Sequence, residues 1–142
     1  MDIREIAYAS AEYELEKQLR HAVMRAPLGM TLSDEDVSGE DSQLHFAAFD
    51  GETLVGCVLF KLLDDGQAKL RQMAVANHMH GQGIGLALVT HAEAELRQRG
   101  ITHIVTDARI EAHGFYARMG YKVEGEPYEV LGIPSIMMVK AL

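Results

Sequence analysis

The stretch that decides the fold of this chain is Met73-Ala74-Val75-Ala76-Asn77-His78-Met79-His80-Gly81-Gln82-Gly83-Ile84-Gly85-Leu86-Ala87. A β-rich segment precedes it, and a helical pattern of apolar residues follows it. Glycines between the end of a strand and the start of a helix leave backbone N–H groups bare beside the positive end of the helix dipole. The stretch therefore predicts a site for a phosphate or pyrophosphate, although the same glycines also suit a tight turn that binds nothing.

Two other phosphate-binding motifs fit the spacing poorly. A P-loop ends in Gly-Lys-Ser/Thr, which this sequence does not contain. The dinucleotide fingerprint has glycines at relative positions 1, 3 and 6; Gly81 and Gly83 match it, but Leu86 stands at the sixth position. Asp107, at the end of the next strand, keeps the dinucleotide interpretation open. The short helix and two strands that follow are nevertheless too few to complete a doubly wound sheet.

The N-terminal segment predicts a short strand over residues 2–7, followed by a helix that ends at Pro27. Ser10 is a typical helix N-cap, and acidic residues in the first turns suit the helix dipole. We expect this helix to bury one apolar face, made of Ala11, Leu15, Leu19, Ala22 and Val23. Residues 27–43 are predicted to form a long acidic loop.

Three strand-like segments follow, at residues 44–49, 53–63 and 68–76. The turns between them, Asp50-Gly51 and Asp64-Asp65-Gly66, are short. Short turns between consecutive strands predict an antiparallel meander.

Beyond the glycines, apolar periodicity predicts a helix from Gly83 to Arg99 with an ion pair between Glu93 and Arg97. Its buried stripe should contain Ile84, Leu88, Ala92 and Leu96. A strand over residues 101–106, parallel to the strand before the glycines, completes a crossover unit.

The last part of the chain predicts a short helix over residues 111–119 and two further strands, at 121–130 and 136–140. The sequence as a whole predicts one α+β domain over residues 1–142. Its mixed sheet should have six to seven strands, an antiparallel meander followed by a strand-helix-strand crossover, with helices on both faces.

A second motif, Phe115-Tyr116-Ala117-Arg118-Met119-Gly120-Tyr121, lies downstream of the glycines. Together with His80-Gly81-Gln82-Gly83-Ile84-Gly85 it resembles the GNAT superfamily of acyl-CoA-dependent N-acetyltransferases, whose coenzyme motif is Arg/Gln-x-x-Gly-x-Gly/Ala. The resemblance implies a GNAT-like fold, acetyl-CoA as the acyl donor, and transfer to a primary amine by direct attack in a ternary complex. His80 replaces the usual Arg or Gln, and Ser135 stands where small bacterial members often carry His.

By this resemblance, the residues that bind the coenzyme are Met73, Ala74, Val75, His80, Gly81, Gln82, Gly83, Ile84, Gly85, Leu86, Phe115 and Tyr116. Tyr116 would also protonate the departing CoA thiolate, a general-acid role that a phenol can fill. Many members carry a Glu that can act as the general base in the strand before the glycines, but here that strand has Arg71 and Gln72. We take Glu129 as the candidate general base. The other candidates are Glu124, Glu126 and Asp107, and for each one a solvated surface carboxylate is the plain alternative.

Composition narrows the class of function. The chain has 142 residues, with 13 Lys and Arg against 21 Asp and Glu, and a net charge of −8. This balance disfavours nucleic acid as a ligand. Acids in the loop 34–41 and on the late strands suit a small cationic amine, or a peptide amine, as acceptor. An acyl-CoA-binding sensor without turnover is the competing class.

Location and cofactors follow from a few further features. No apolar run approaches the length of a membrane span, and the charged N-terminus does not resemble a signal peptide. Cys57 alone cannot form an internal disulfide, so we expect the cytoplasm. His78 and His80 lack the ligand spacing of a metal site, so no metal is expected. The sequence leaves a homodimer open.

Overall fold

The computed structural model describes residues 1–34 and 36–142. Its centre is one seven-stranded sheet with the order β1-β2-β3-β4-β5-β7-β6. The strands are β1 Asp2–Ile6, β2 Leu44–Asp50, β3 Thr53–Leu62, β4 Gln67–Val75, β5 His103–Arg109, β6 Lys122–Val130 and β7 Ile133–Ala141. The helices are α1 Ala11–Arg20, α2 Ile84–Gln98 and α3 His113–Arg118. Within the described residues, no helix has the length and apolar composition needed to cross a membrane.

The sheet has the predicted topology. The first four strands form an antiparallel meander, because each pairs with its neighbour along the chain. After α2 the chain returns as β5, parallel to β4, and β7 and β6 add in antiparallel pairing. The α+β class, the meander and the crossover are thus confirmed. The carboxyl ends of β4 and β5 lie at the same edge of the sheet, the edge at which open parallel sheets bind ligands.

Helices cover both faces of the sheet. The predicted stripe of α2 is buried on one face and contains Ile84, Leu88, Ala92 and Leu96. Gly56 of β3 allows this close packing, because a Cβ there would lie 3.2 Å from the Cγ2 atom of Ile84. α1 lies against His45 of β2, whose neighbour Phe46 belongs to the core under α2. Successive side chains of a strand point to opposite faces, so α1 covers the other face.

The buried face predicted for α1 is wrong. Ser10 caps the helix as expected, since its Oγ accepts the N–H of Tyr13 at 3.1 Å. The buried side chains are Tyr13, Glu16 and Arg20. The predicted apolar residues are exposed or only partly buried; they are Ala11, Leu15, Leu19, Ala22 and Val23. Charged side chains can be buried here because Arg20 pairs with Glu16 and with Glu40 from the following loop.

The predicted ion pair between Glu93 and Arg97 is also wrong. The Glu93 carboxylate is buried, and it accepts hydrogen bonds from the Tyr121 hydroxyl at 2.8 Å and from the Lys140 ammonium at 2.9 Å. These partners tie α2 to the C-terminal part of the sheet. A helix-spacing rule cannot reveal them, because both lie far from Glu93 along the chain.

Candidate active site

Strands β4 and β5 stop pairing before their carboxyl ends, and we call the gap between them the cleft. The parallel pairing of these strands ends at Leu70 and Thr106, although β4 continues to Val75 and β5 to Arg109. The Thr106 hydroxyl donates to the Leu70 carbonyl at 3.2 Å, across the last paired position. Beyond this point the backbone groups on the inner edges of the two strands do not pair with each other.

A β-bulge in β4 accompanies the separation of the strands. Cys57 pairs with Ala74, and Leu59 pairs with Arg71, so two residues of β4 lie opposite one residue of β3. Gln72, inside the bulge, has a left-handed backbone with φ of 53°. Bulges bend the strand that carries them and increase its twist. The bulge therefore explains why β4 leaves β5 at this level of the sheet.

The end of β4 presents the backbone of Val75 to the cleft. The N–H of Ala76 donates to the Val55 carbonyl at 2.8 Å and so faces β3. Backbone groups of successive strand residues point to opposite sides, which directs the N–H and C=O of Val75 toward β5. The Nε2 of His80 donates to the Val75 carbonyl at 3.0 Å. His80 thus ties the glycine loop to the end of β4.

The glycine loop leads into an N-terminus of α2 that has no side-chain cap. Gly81 and Gly83 have φ of 80° and 77°, and nothing lies within 4 Å of a Cβ at either position. Gly83 is the N-cap residue and has no side chain to accept the first N–H groups of the helix. The loop therefore offers bare donors, open space and the positive end of a helix dipole, which together suit a pyrophosphate.

The third glycine has a different role from the first two. A Cβ at Gly85 would lie 2.8 Å from the Cε atom of Met73 and 3.1 Å from the Cζ atom of Phe115. The close approach brings together β4, the start of α2 and α3. The two sequence motifs of the resemblance therefore meet at one place in the fold. Of the other predicted residues, Ile84 is buried in the core, whereas Gln82 and Leu86 are exposed.

Tyr116 of α3 lies where the two strands part. Its side chain is 5% exposed, and its hydroxyl lies beside the side chain of Thr106, at the last paired position of β5. Burial raises the pKa of Tyr116 to about 12. The phenol therefore stays protonated at neutral pH.

The acidic candidates for the base lie in different places. Burial favours the neutral form of Asp107, but hydrogen bonds from Lys69 and Tyr128 outweigh it and hold its pKa below the ordinary value. Glu129 lies opposite Pro134 in β7 and is exposed. Because side chains alternate along a strand, it points to the face of the sheet opposite Tyr128. The structure does not bring Glu129 and Asp107 together.

The acidic loop is less open than the sequence suggests. Asp36 accepts two hydrogen bonds from Arg25, at 3.1 and 3.0 Å, and Glu40 is fully buried. Glu35 lies outside the described residues. Only Asp34 and Asp41 of the described acids in residues 34–41 remain exposed. The loop therefore gives less support to a cationic acceptor than its composition does.

Comparison with known proteins agrees with this geometry. The sequence model of the protein family described as "Acetyltransferase (GNAT) family" matches residues 5–121. The chain belongs to this family. A curated relative, the uncharacterized N-acetyltransferase YitI of Bacillus subtilis (strain 168), is 30% identical over 132 residues, which cover 88% of this chain and 89% of YitI. The GNAT enzyme described here is therefore an acyltransferase, as the sequence predicts.

Solved structures show the same GNAT fold. A candidate N-acetyltransferase from Lactobacillus plantarum has a TM-score of 0.89 and 26% identity, with 100% of this chain and 99% of that chain covered. An aminoglycoside 6′-N-acetyltransferase complexed with coenzyme A has a TM-score of 0.82 and 20% identity, with coverage of 99% and 97%. The similarity to the aminoglycoside 6′-N-acetyltransferase supports the fold of this chain. The coenzyme A was bound to that protein.

Proposed function

We propose that this GNAT enzyme transfers the acetyl group of acetyl-CoA to a primary amine by direct attack in a ternary complex. The observation that carries the proposal is the Tyr116 hydroxyl at the point where β4 and β5 part. Acetyl-CoA supplies the thioester that the amine attacks. The open glycine loop at the mouth of the same cleft fits its pyrophosphate.

The coenzyme site is proposed to consist mainly of backbone groups. The N–H groups from Gly81 to Leu86 hold the pyrophosphate at the start of α2. The strand from Met73 to Val75 offers its inner edge to the pantetheine arm, and the N–H of Val75 is positioned to donate to the thioester oxygen. Phe115 packs beside Gly85 and closes one side of the loop.

Tyr116 is proposed as the general acid. A phenol with a pKa of about 12 holds its proton at neutral pH and can deliver it to the departing sulfur. Its hydroxyl lies beside Thr106, at the closed end of the cleft, which is the place proposed for the sulfur.

The role of Glu129 as general base stays a prediction with its own test. An alkylammonium ion has a pKa of about 10 and must lose a proton before attack. Glu129→Gln should then lower kcat/KM most at low pH, where the free amine is scarcest. Glu52→Gln is the matched control, because Glu52 is also an exposed carboxylate but lies in the turn between β2 and β3 and is not a candidate base. Equal pH profiles for the two variants would remove Glu129 from the mechanism.

Binding of acetyl-CoA is the first test of the proposal. Acetyl-CoA at 100 times its Kd should stabilise the enzyme by about 2.7 kcal/mol and raise its Tm, and NAD should not. Gly83→Glu should abolish the shift, because it places a carboxylate where the pyrophosphate lies. Gly29→Glu is the matched control: Gly29 also has a positive φ and open space, but it lies in another loop. A protein whose Tm does not respond to saturating acetyl-CoA would contradict the proposal.

Turnover separates the enzyme from an acyl-CoA sensor. Release of the CoA thiol should follow when acetyl-CoA is offered with a panel of polyamines, amino acids and peptides. Release with any amine in the panel supports the proposed transfer. A clear thermal shift without release across the panel would support the sensor instead.

A further inference from the structure

A cluster of buried polar side chains lies between α1 and the sheet. We define the α1 cluster as Tyr13, Glu16, Arg20, Glu40 and His45. Arg20 donates from Nη1 and Nη2 to the two carboxylate oxygens of Glu40, at 2.8 and 2.7 Å, and from Nη1 to Glu16 at 3.1 Å. The Tyr13 hydroxyl also donates to Glu40 at 2.8 Å. Within the described residues, every buried side-chain nitrogen and oxygen has a hydrogen-bond partner.

The charges of the α1 cluster balance. His45 has an acceptor at each ring nitrogen: the Glu16 carboxylate lies 3.0 Å from Nδ1, and the Glu40 carbonyl lies 2.9 Å from Nε2. Two acceptors require a proton on both nitrogens, so His45 is an imidazolium. Two cations, Arg20 and His45, thus face two anions, Glu16 and Glu40, and the partly exposed Arg71 of β4 lies outside the cluster, 3.6 Å from Glu40. Bidentate and charge-assisted bonds fix such a group in one geometry.

The Nε donor of Arg20 points away from the acids of the α1 cluster and toward β4. The Nε of Arg20 donates to the side-chain oxygen of Gln72 at 3.2 Å. Gln72 is the bulge residue with φ of 53°. Residues other than glycine adopt this left-handed backbone conformation only when the surrounding structure holds them in it. The Cys57 thiol also lies 3.5 Å from the Gln72 carbonyl. Gln72 is therefore held at its side chain and at its backbone.

We propose that Arg20 is a positioning residue for acetyl transfer. Through Gln72 it holds the bulge in its left-handed conformation, and the bulge sets both the separation of β4 from β5 and the direction of the Val75 N–H. The inference rests on the proposed function, because the aligned strand is the one assigned to the thioester. The buried face of α1 is polar, and apolar packing does not account for it. In this proposal it supports the alignment of β4 at the cleft.

Two substitutions at Gln72 test this role. Gln72→Ala removes the bond to Arg20 but keeps a Cβ that disfavours positive φ. It should lower kcat by about 10- to 100-fold, the scale of an ångström-sized misplacement. Gln72→Gly also removes the bond, but glycine adopts positive φ without support. It should recover most of the lost kcat, with the KM for acetyl-CoA near that of the wild type.

A matched control uses the other end of β4. Asp65, in the turn before this strand, has φ of 59° and lies at the opposite end of β4 from Val75. Asp65→Ala and Asp65→Gly should differ in Tm but not in kcat. Equal losses of kcat in Gln72→Ala and Gln72→Gly would show that the Gln72 side chain acts directly on substrate. Unchanged kcat in both would show that the bulge needs no support. Either result overturns the inference.

A second measurement does not depend on turnover. Hydrogen exchange of the Ala76 amide, which donates to Val55, reports how firmly β4 is held beyond the bulge. Exchange should be faster in Gln72→Ala and return toward the wild-type rate in Gln72→Gly. A wild-type protein that releases no CoA with any amine would contradict the proposed function alone. The exchange rates would still decide whether Arg20 holds the bulge, and equal rates in all three proteins would refute it.

Discussion

Replacing Tyr116 by Phe is expected to lower kcat by about 10²- to 10⁴-fold, the usual cost of losing a general acid. The affinity for acetyl-CoA should stay unchanged, since the ring and its packing remain. The reason is the position of the hydroxyl beside Thr106, at the closed end of the cleft. Initial rates of thiol release and a thermal shift with acetyl-CoA measure the two quantities separately.

A neighbouring tyrosine provides the control. The ring of Tyr121 is also buried and lies 5.5 Å from that of Tyr116, centroid to centroid. Its hydroxyl, however, donates to Glu93 and does not face the cleft. Tyr121→Phe should therefore cost stability without the loss in kcat. If both variants keep the wild-type kcat, then water or another group protonates the thiolate.

The pH profile adds a second check on Tyr116. An acid works only while it holds its proton, that is, below its pKa. Because burial raises the pKa of Tyr116 to about 12, its deprotonation should not reduce kcat at any pH well below 12. A fall of kcat near pH 10 that disappears in Tyr116→Phe would mean that the phenol has an ordinary pKa and is more open to solvent.

Local patterns predicted the parts of the fold that depend on neighbours in sequence. The stripe of α2 and the short turns of the meander are properties of adjacent residues, and the structure confirms them. The buried face of α1 depends on Glu40 and His45, which lie far along the chain from Arg20. Apolar periodicity carries no information about such partners, so it predicted the wrong face of α1 to be buried.

The candidate site divides in the same way. The glycines and the motif around Tyr116 predict a coenzyme loop and an acid. The structure brings the two motifs together at Gly85 and Phe115, and the roles of their residues stay predictions. The sequence predicted no role in the cleft for two further residues. Gln72 has no sequence preference for a left-handed backbone, and its bulge arises from the register between β3 and β4. Thr106 looks like any other strand residue in the sequence. Its place at the last parallel pair follows from where the pairing of β4 and β5 ends, which the sequence does not show.

Replacing Arg20 by Met should destabilise the fold by about 3–5 kcal/mol at pH 7, the usual cost of removing one partner from a buried ion pair. Arg20, Glu16 and Glu40 have no side-chain exposure, so the change leaves two carboxylates buried without their main cation. Methionine keeps an unbranched apolar stem in the space. Urea unfolding of wild type and variant measures the difference in the free energy of unfolding.

The loss should depend on pH in a defined direction. Burial favours the neutral form of Glu40, but hydrogen bonds and charge from Arg20 outweigh it and lower its pKa below 4.5. A carboxyl whose pKa is lowered by folding stabilises the protein fully above its unfolded pKa, and that contribution is lost as the pH falls through its folded pKa. In Arg20→Met the stranded carboxylates can be neutralised by protonation. The stability difference should therefore be largest near pH 7 and shrink as the pH is lowered below 4.5.

Arg25 provides the matched control for Arg20. It follows α1 and also pairs with a carboxylate, but the Asp36 side chain is 19% exposed, so water can reach that carboxylate when the cation is removed. Exposed partners make ion pairs weaker, and Arg25→Met should cost clearly less than Arg20→Met. Arg25 donates to Asp36 and to the Met24 carbonyl, not to β4. Equal losses in the two variants, or a loss in Arg20→Met that is the same at every pH, would mean that the buried carboxylates do not depend on Arg20.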